Sequence, residues 1–472
     1  METNVRDTRD VEGARLIDAR IDNLPMTRHL WTLVLMLALG AFFEAYEISL
    51  TALLSPGLVK AGIFASANGV FGLPDQAAFA SATFLGMFVG ALALGRFADR
   101  LGRKLAFTGS LLTYTAATLA MGFQESATTI DLCRLAAGVG LGAELVVIDA
   151  FLAELVPPRF RGRAFALAAA IQFLAVPVAG GLCLALIPHR PFGFEGWRWV
   201  CVIGSIGALL VMLTRTRLPE SPRWLARHGN LQRADQIVTA LERKCFGAAG
   251  VPERAGTRHS ESVEIDLSDE SSRRASLFAP AWRRRVVMLT AANVLIAIGF
   301  FGFGSWLPTL LASQGHSIVK SFQFTLCIAL CYPLCPLIFM FFADKVERKW
   351  QISGATLFAG VFGVCFGYQD SAFGLILFGT AVTVANLLTG YALHTYQAEL
   401  FPSAIRARAV GFVYSWSRLA VVFSSLVVGS LLQRGGANAV LLFLGATQVA
   451  VAVLVAAMGP KTLFYRDAVA LT

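Results

Sequence analysis

The sequence predicts an all-α integral membrane protein with twelve transmembrane helices in two six-helix halves. Three observations predict it. The chain of 472 residues is 56% apolar and only 15% charged, where a soluble domain carries about 25% charged residues, and its mean hydropathy is +0.64. Apolar runs of about 20 residues, each long enough to cross a ~30 Å hydrocarbon core as a helix, recur along most of its length. Two polar motifs recur at one spacing: "FADRLGRK" from Phe97 and "FADKVERK" from Phe342, and "AELVPPRFRGR" from Ala153 and "AELFPSAIRAR" from Ala398, each pair 245 residues apart. A parallel duplication of a six-helix unit produces that register, and such halves meet at a midplane site. In lipid only helices and closed barrels satisfy every backbone group, and the runs lack the period-two alternation of a barrel.

The elements follow in order. Residues 1–29 are a polar segment of mixed charge and no cleavable signal peptide, because the first apolar run starts near Leu30 and is too long for an h-region. The first half, 30–214, carries spans at 30–54, 76–97, 105–123, 130–155, 163–187 and 197–214. A polar linker, 215–285, contains "HSESVEIDLSDESSRRAS", a composition that reads as a solvated segment. The second half, 286–458, carries spans at 286–312, 321–342, 351–368, 372–397, 409–431 and 437–458, and a tail, 459–472, follows.

Charge sets the orientation. Lys60, Arg190, Lys320 and Arg434 stand on one side of the spans, and nearly all other loop Lys and Arg stand on the other. Both termini and the linker are therefore expected in the cytoplasm, with the chain multi-pass in the cell (inner or plasma) membrane. The net charge of +10 reflects this topology and excludes a nucleic-acid partner. The eight cysteines sit almost entirely in apolar runs, five of them apart, so no disulfide framework is expected. Cys327, Cys331 and Cys335 recur every fourth residue beside Pro333 and Pro336, but no His or Met joins them, so helix packing is expected and no metal. Gly138, Gly140 and Gly142 read as a close-packing strip, since no strand precedes them as a dinucleotide fold requires. No Walker motif, and no cofactor motif, is present.

At this point a family becomes recognisable. "GRFADRLGRK" (Gly95 to Lys104) resembles the loop 2–3 signature of the major facilitator superfamily. "RLAAGVGLGAELVVIDAFLAELVPPRFRGR" (Arg134 to Arg163) and "LPESPRWL" (Leu218 to Leu225) resemble the sugar-porter and metabolite:proton symporter branches. "GAFFEAYEISL" in span 1 resembles the "FFDxYD" pattern of the latter, with Glu44 and Glu47 in place of both Asp, and span 7 and spans 10–11 resemble it too. Four positions depart from the pattern: Phe151 where Tyr is common, "GPKT" for "GPET", Glu347 where the first loop motif has Gly102, and Arg408 where a small or hydroxyl residue is common. The resemblance implies no enzyme but a secondary transporter working by alternating access. Its implied partners are a small-molecule substrate, protons and the lipid bilayer, and a monomer suffices. The expected activity is proton-coupled symport of a small organic acid or related metabolite. Sugar or polyol symport, efflux antiport and a non-transporting membrane sensor are the alternatives.

Ionisable groups inside spans cost about 2.5–3.5 kcal/mol each on insertion scales, so each is a functional candidate. Glu44 and Glu47 are i, i+3 on span 1 and share a face. Glu47 in the outer half of span 1 and Arg134 near the outer end of span 4 lie at similar depth, which makes them the expected proton-coupling pair, as the resemblance also implies. Glu44 and Asp149 are the further coupling candidates. Expected substrate contacts are Gln172, Asn293, Trp306, Asn386 and Tyr391, amides and aromatics near mid-span, with His394 and Arg418; an Arg facing a cavity binds a carboxylate bidentately. Asp99, Arg103, Glu154 and Arg163 mirror Asp344, Arg348, Glu399 and Arg408, and these repeated acid–base clusters are expected to form a cytoplasmic gate.

Overall fold

The computed structural model describes residues 2–65, 74–215, 218–246, 278–339, 345–401 and 403–462, without side chains at 2–11, 93–101, 145–146, 281, 403–404 and 406–407. The first half comprises α2 (Arg28–Leu53), the short α3 (Ser55–Lys60), α4 (Asp75–Leu101), α5 (Arg103–Met121), α6 (Ala127–Leu155), α7 (Pro158–Leu186) and α8 (Gly196–Arg215), preceded by α1 (Glu2–Asp22). Two helices follow, α9 (Pro222–Arg227) and α10 (Leu231–Phe246). The second half comprises α11 (Pro280–Gly304), α12 (Leu307–Ser313), α13 (Ile318–Ala329), α14 (Cys335–Phe339), α15 (Arg348–Gly367), α16 (Ala372–Glu399) and α17 (Ser403–Met458). No strand occurs among the described residues.

Among the described residues nine helices are long and apolar enough to cross a membrane. The other three of the twelve expected crossings are assigned to the more polar α5, the α13–α14 pair, and the second arm of α17. That helix turns back at Gly436, whose φ of 69° is a left-handed value that glycine tolerates. Two expected spans are broken rather than continuous. Span 7 parts between α11 and α12 at Ser305–Trp306, ahead of Pro308, and span 8 parts at 330–334, around Pro333 and ahead of Pro336. Proline removes a helix donor and disfavours helical backbone at the residue before it, which explains both breaks. Serine caps start several helices; Ser126 and Ser371 accept from the backbone N–H of Thr129 and Gly374.

Helices pack mainly within their half: α4 and α5 on α6, α2 on α7, and α11 and α15 on α17. The glycine strip works as expected. Gly138 and Gly142 of α6 lie so close to Thr83 and Met87 of α4, and Gly86 and Gly90 so close to Leu135 and Val139, that no added Cβ fits. The seam between the halves is formed by α4 with α17 and by α7 with α13 and α14.

Part of the expected linker is folded. Ala234, Val238 and Leu241 line one face of α10, and the first two are buried with Ile17 and Ile21 of α1 and Leu225 of α9. Arg20 ties this cap together, donating to both Glu242 oxygens at 2.9 and 2.6 Å and to Asp235 at 2.5 Å. Those carboxylates push its guanidinium pKa further up. Arg223 donates to Asp22 at 2.5 Å and to the Glu154 carbonyl at 3.0 Å, fastening the cap to the bundle. This cap marks the lower end of the bundle. The acidic and serine-rich part of the linker lies in 247–277, outside the described residues.

Candidate functional site

Burial inside the helical bundle allows an ionised side chain only where partners replace water. In the upper half that condition is met at Glu47 and Arg134, both buried. Arg134 Nη1 donates to Glu47 Oε2 at 3.1 Å, and the Thr118 hydroxyl donates to the same oxygen at 2.7 Å. Arg134 Nη2 donates to the Glu47 carbonyl at 2.7 Å and to Thr51 at 2.8 Å, its Nε reaches Thr83 at 3.3 Å, and its plane lies over the Phe79 ring. Four helices, α2, α4, α5 and α6, thus share one polar knot. The equal depth of Glu47 and Arg134 is legible in the sequence; the three threonines, scattered among apolar residues, are not.

Glu44 stands one turn below Glu47, buried, with Oε1 lacking a hydrogen-bond partner. It lies within electrostatic reach of Arg418 on α17, across the seam. Arg418 is also buried; its Nη2 donates to the Tyr414 hydroxyl at 2.7 Å, its plane lies over Phe301, and its Nη1 has no partner. Tyr414 packs on the His394 ring at 5.5 Å, and His394 Nδ1 lies 3.4 Å from Gln397 Nε2. Gln397 in turn accepts from Asn293 Nδ2 at 3.3 Å. Asn293, His394 and Arg418 therefore belong to one chain of polar contacts. Gln397 and Tyr414 complete it and were not expected; only helical spacing from His394 and Arg418 hinted at them.

Beside this chain lies an aromatic cluster. Tyr391, one turn above His394 on α16, stacks on Phe339 at 5.4 Å and meets Phe173 of the first half edge-on at 6.5 Å. Phe173 also meets Tyr332, in the broken part of span 8, at 5.8 Å. The Tyr391 hydroxyl is buried without a partner. Gln172, next to Phe173, is half-buried.

Other expected contacts lie elsewhere. Asn386 accepts from Gln448 Nε2 at 3.3 Å between α16 and the second arm of α17, lining a small cavity inside the second half. Trp306 is buried in an apolar cluster with Ala77, near Gly429 at the upper end of the seam. Asp149 is exposed in the lower half of α6. Span depth alone does not tell which way a side chain turns around its helix, and Asn386 and Trp306 differ from expectation on that account.

At the lower end, Arg103 lies 3.4 Å from Glu154, and Arg348 lies 3.8 Å from Glu399. Each pair sits within one half, where the expected gate implied pairing that breaks as the halves part. Arg163 and Arg408 are exposed. The Asp99 side chain and Asp344 lie outside the described residues. Glu220, which was not expected to take part, caps the start of α5 by accepting from the backbone N–H of Arg103 and Lys104 at 2.8 and 3.1 Å. Arg215, expected as the first linker residue, instead ends α8 and is buried.

The comparisons agree with this architecture. The sugar (and other) transporter family model matches residues 33–464. The niacin transporter NiaP of Acinetobacter baylyi is 28% identical over 445 residues, covering 94% of this chain and 97% of that protein. The gallate transporter of Pseudomonas putida is 27% identical over 446 residues, covering 93% and 94%. The xylose transporter XylE from E. coli, in a partially occluded inward-open conformation, superposes with a TM-score of 0.74 at 16% identity, covering 92% of this chain and 99% of that one. With nearly its whole length matched, the chain belongs to the sugar (and other) transporter family of the major facilitator superfamily, and it is a multi-pass membrane transporter of small molecules rather than an enzyme.

Proposed function

We propose that this chain is a proton-coupled symporter of a small aromatic monocarboxylate, working by alternating access. The observation that carries the reading is Arg418. This buried guanidinium has one nitrogen left unpartnered, at a seam that also holds the Phe173, Tyr332, Phe339 and Tyr391 rings. In this reading a planar acid sets its carboxylate on Arg418 and its ring among the aromatics. The names of two relatives, a niacin and a gallate transporter, support the substrate class, since both solutes are aromatic carboxylic acids.

Proton coupling is assigned to Glu47. Its carboxylate is ion-paired and buried, so its proton affinity depends on its distance from Arg134. Rocking of the halves that lengthens this contact favours uptake of a proton, and closure favours release. The loop charges support cytoplasmic termini in an inner- or plasma-membrane protein, and a monomer suffices for this architecture.

Purified protein in liposomes under an inward proton gradient tests the reading with labelled nicotinate, gallate and xylose. Accumulation of an acid that collapses with the gradient is expected. Glu47→Gln then abolishes accumulation and spares exchange. Accumulation of xylose alone overturns the substrate class, and undiminished accumulation by Glu47→Gln overturns the coupling role.

A further inference from the structure

The first half contains a second buried ion pair that the coupling reading does not use. Arg215 Nη2 donates to Glu144 Oε1 at 2.9 Å, with both residues buried. Arg215 Nη1 donates to the Phe107 carbonyl at 2.5 Å, and the guanidinium lies 3.3 Å from the centre of the Phe107 ring. The Tyr114 hydroxyl is the carboxylate's other polar neighbour, and Glu144 Oε2 makes no hydrogen bond of normal geometry. A purely structural pair gains little from that arrangement, because an orphaned buried oxygen offsets part of the attraction.

The position of the pair gives the free oxygen a use. Arg215 Nη2 and the Phe107 ring lie so close to Gly40 of α2 that a Cβ there would displace one of them. Glu44 lies one helical turn above Gly40 on the same face, and its own free Oε1 completes the series. Three carboxylates therefore descend through the first half. Glu47 is ion-paired with Arg134, Glu44 forms no ion pair among the described residues and its Oε1 no hydrogen bond, and Glu144 is ion-paired with Arg215. The charges that reach Glu44 are those of Glu144 and Asp149 on α6 and Arg418 on α17, and the buried Tyr114 hydroxyl of α5 stands beside Glu144. Asp149, a turn and a half below Glu144, is exposed in the lower half.

We propose that Glu144, positioned by Arg215, is the release-side proton acceptor of the coupling path. The inference rests on the symport reading. The proton leaves Glu47 for Glu44, passes from Glu44 to Glu144 Oε2, and departs toward the lower end by way of Asp149. Each transfer breaks one carboxyl O–H bond and forms the next, with no other change of bonding. Arg215 keeps Glu144 from holding the proton permanently, as Arg134 does for Glu47, and unpaired Glu44 is the carrier between them.

Infrared pH titration of the purified protein in lipid tests this without any substrate. A carboxyl band that appears and disappears with pH is expected in the wild type, and one component of it is lost in Glu144→Gln. The double variant Glu144→Gln, Arg215→Met leaves no unpaired charge and controls for folding. It is expected to remain monodisperse, to lose the same band, and to lower gradient-driven accumulation of labelled nicotinate to the equilibrium level while exchange continues. A band pattern unchanged by Glu144→Gln, or full accumulation by the folded double variant, overturns the inference. If Glu47→Gln also accumulates fully, the symport reading fails; if only the double variant does, Glu144 alone is excluded.

Discussion

The carboxylate of Glu347 accepts from the backbone N–H of Thr462 at 2.7 Å and from its hydroxyl at 3.0 Å, so the segment after the last span is fastened to the loop before α15. The Tyr396 hydroxyl donates to the Pro460 carbonyl at 2.8 Å beside it. In the first half the polarity is reversed, with Glu220 from beyond the sixth span accepting from the loop at Arg103 and Lys104. Two departures from the family pattern, Glu347 and "GPKT", thus meet in one contact: the carboxylate has moved from the tail to the loop.

Glu347→Ala removes this acceptor from a buried site, at a cost of about 2 kcal/mol for hydrogen bonds to a charged group. The expected outcome is a Tm several degrees below wild type in a detergent-solubilised thermal shift, with Glu347→Gln intermediate. Equal melting of both variants and wild type contradicts an anchoring role.

Arg134→Ala leaves Glu47 buried without its cation, and breaking such a pair costs about 3–5 kcal/mol. Folded yield by size-exclusion chromatography is expected to collapse. Combining it with Glu47→Gln restores most of the yield but no coupled uptake. Arg134→Lys does not substitute, because a lysine cannot reach Glu47, Thr51 and Thr83 together.

Gln76 of α4 and Thr309 of α12 hydrogen-bond across the upper end of the seam. A Gln76→Cys, Thr309→Cys pair is expected to oxidise readily and to block transport, with a reductant restoring it. Free transport by the oxidised, cross-linked protein is the result that contradicts opening at this end.

Gly138→Ala forces a methyl group into the backbone of α4 at Thr83 and Gly86. Backbone yields less than side chains, so a loss of folded protein is expected, larger than for Gly181→Ala, whose Cβ meets open space. Comparable yields for both variants remove the close-packing role.

Much of this protein is legible in one dimension. The all-helical membrane architecture, the glycine strip and the common depth of Glu47 and Arg134 follow from hydropathy, spacing and helical rise. The breaks in spans 7 and 8 were not expected, because hydropathy runs through both; Pro308, Pro333 and Pro336 were the local signal for them. The amphipathic α10 was legible too, from Ala234, Val238 and Leu241, but its polar surroundings concealed it.

By itself the sequence determined the architecture, because an apolar solvent requires long apolar helices with their backbone satisfied internally. Only the tertiary structure decided which buried polar groups meet. Asn386 turned toward Gln448, Arg215 reached from a span boundary to Glu144, and Arg418 came within electrostatic reach of Glu44 across the seam. The physical reason is that depth along the membrane normal is written in residue number, whereas rotation about each helix axis is set by packing against neighbours distant in the chain.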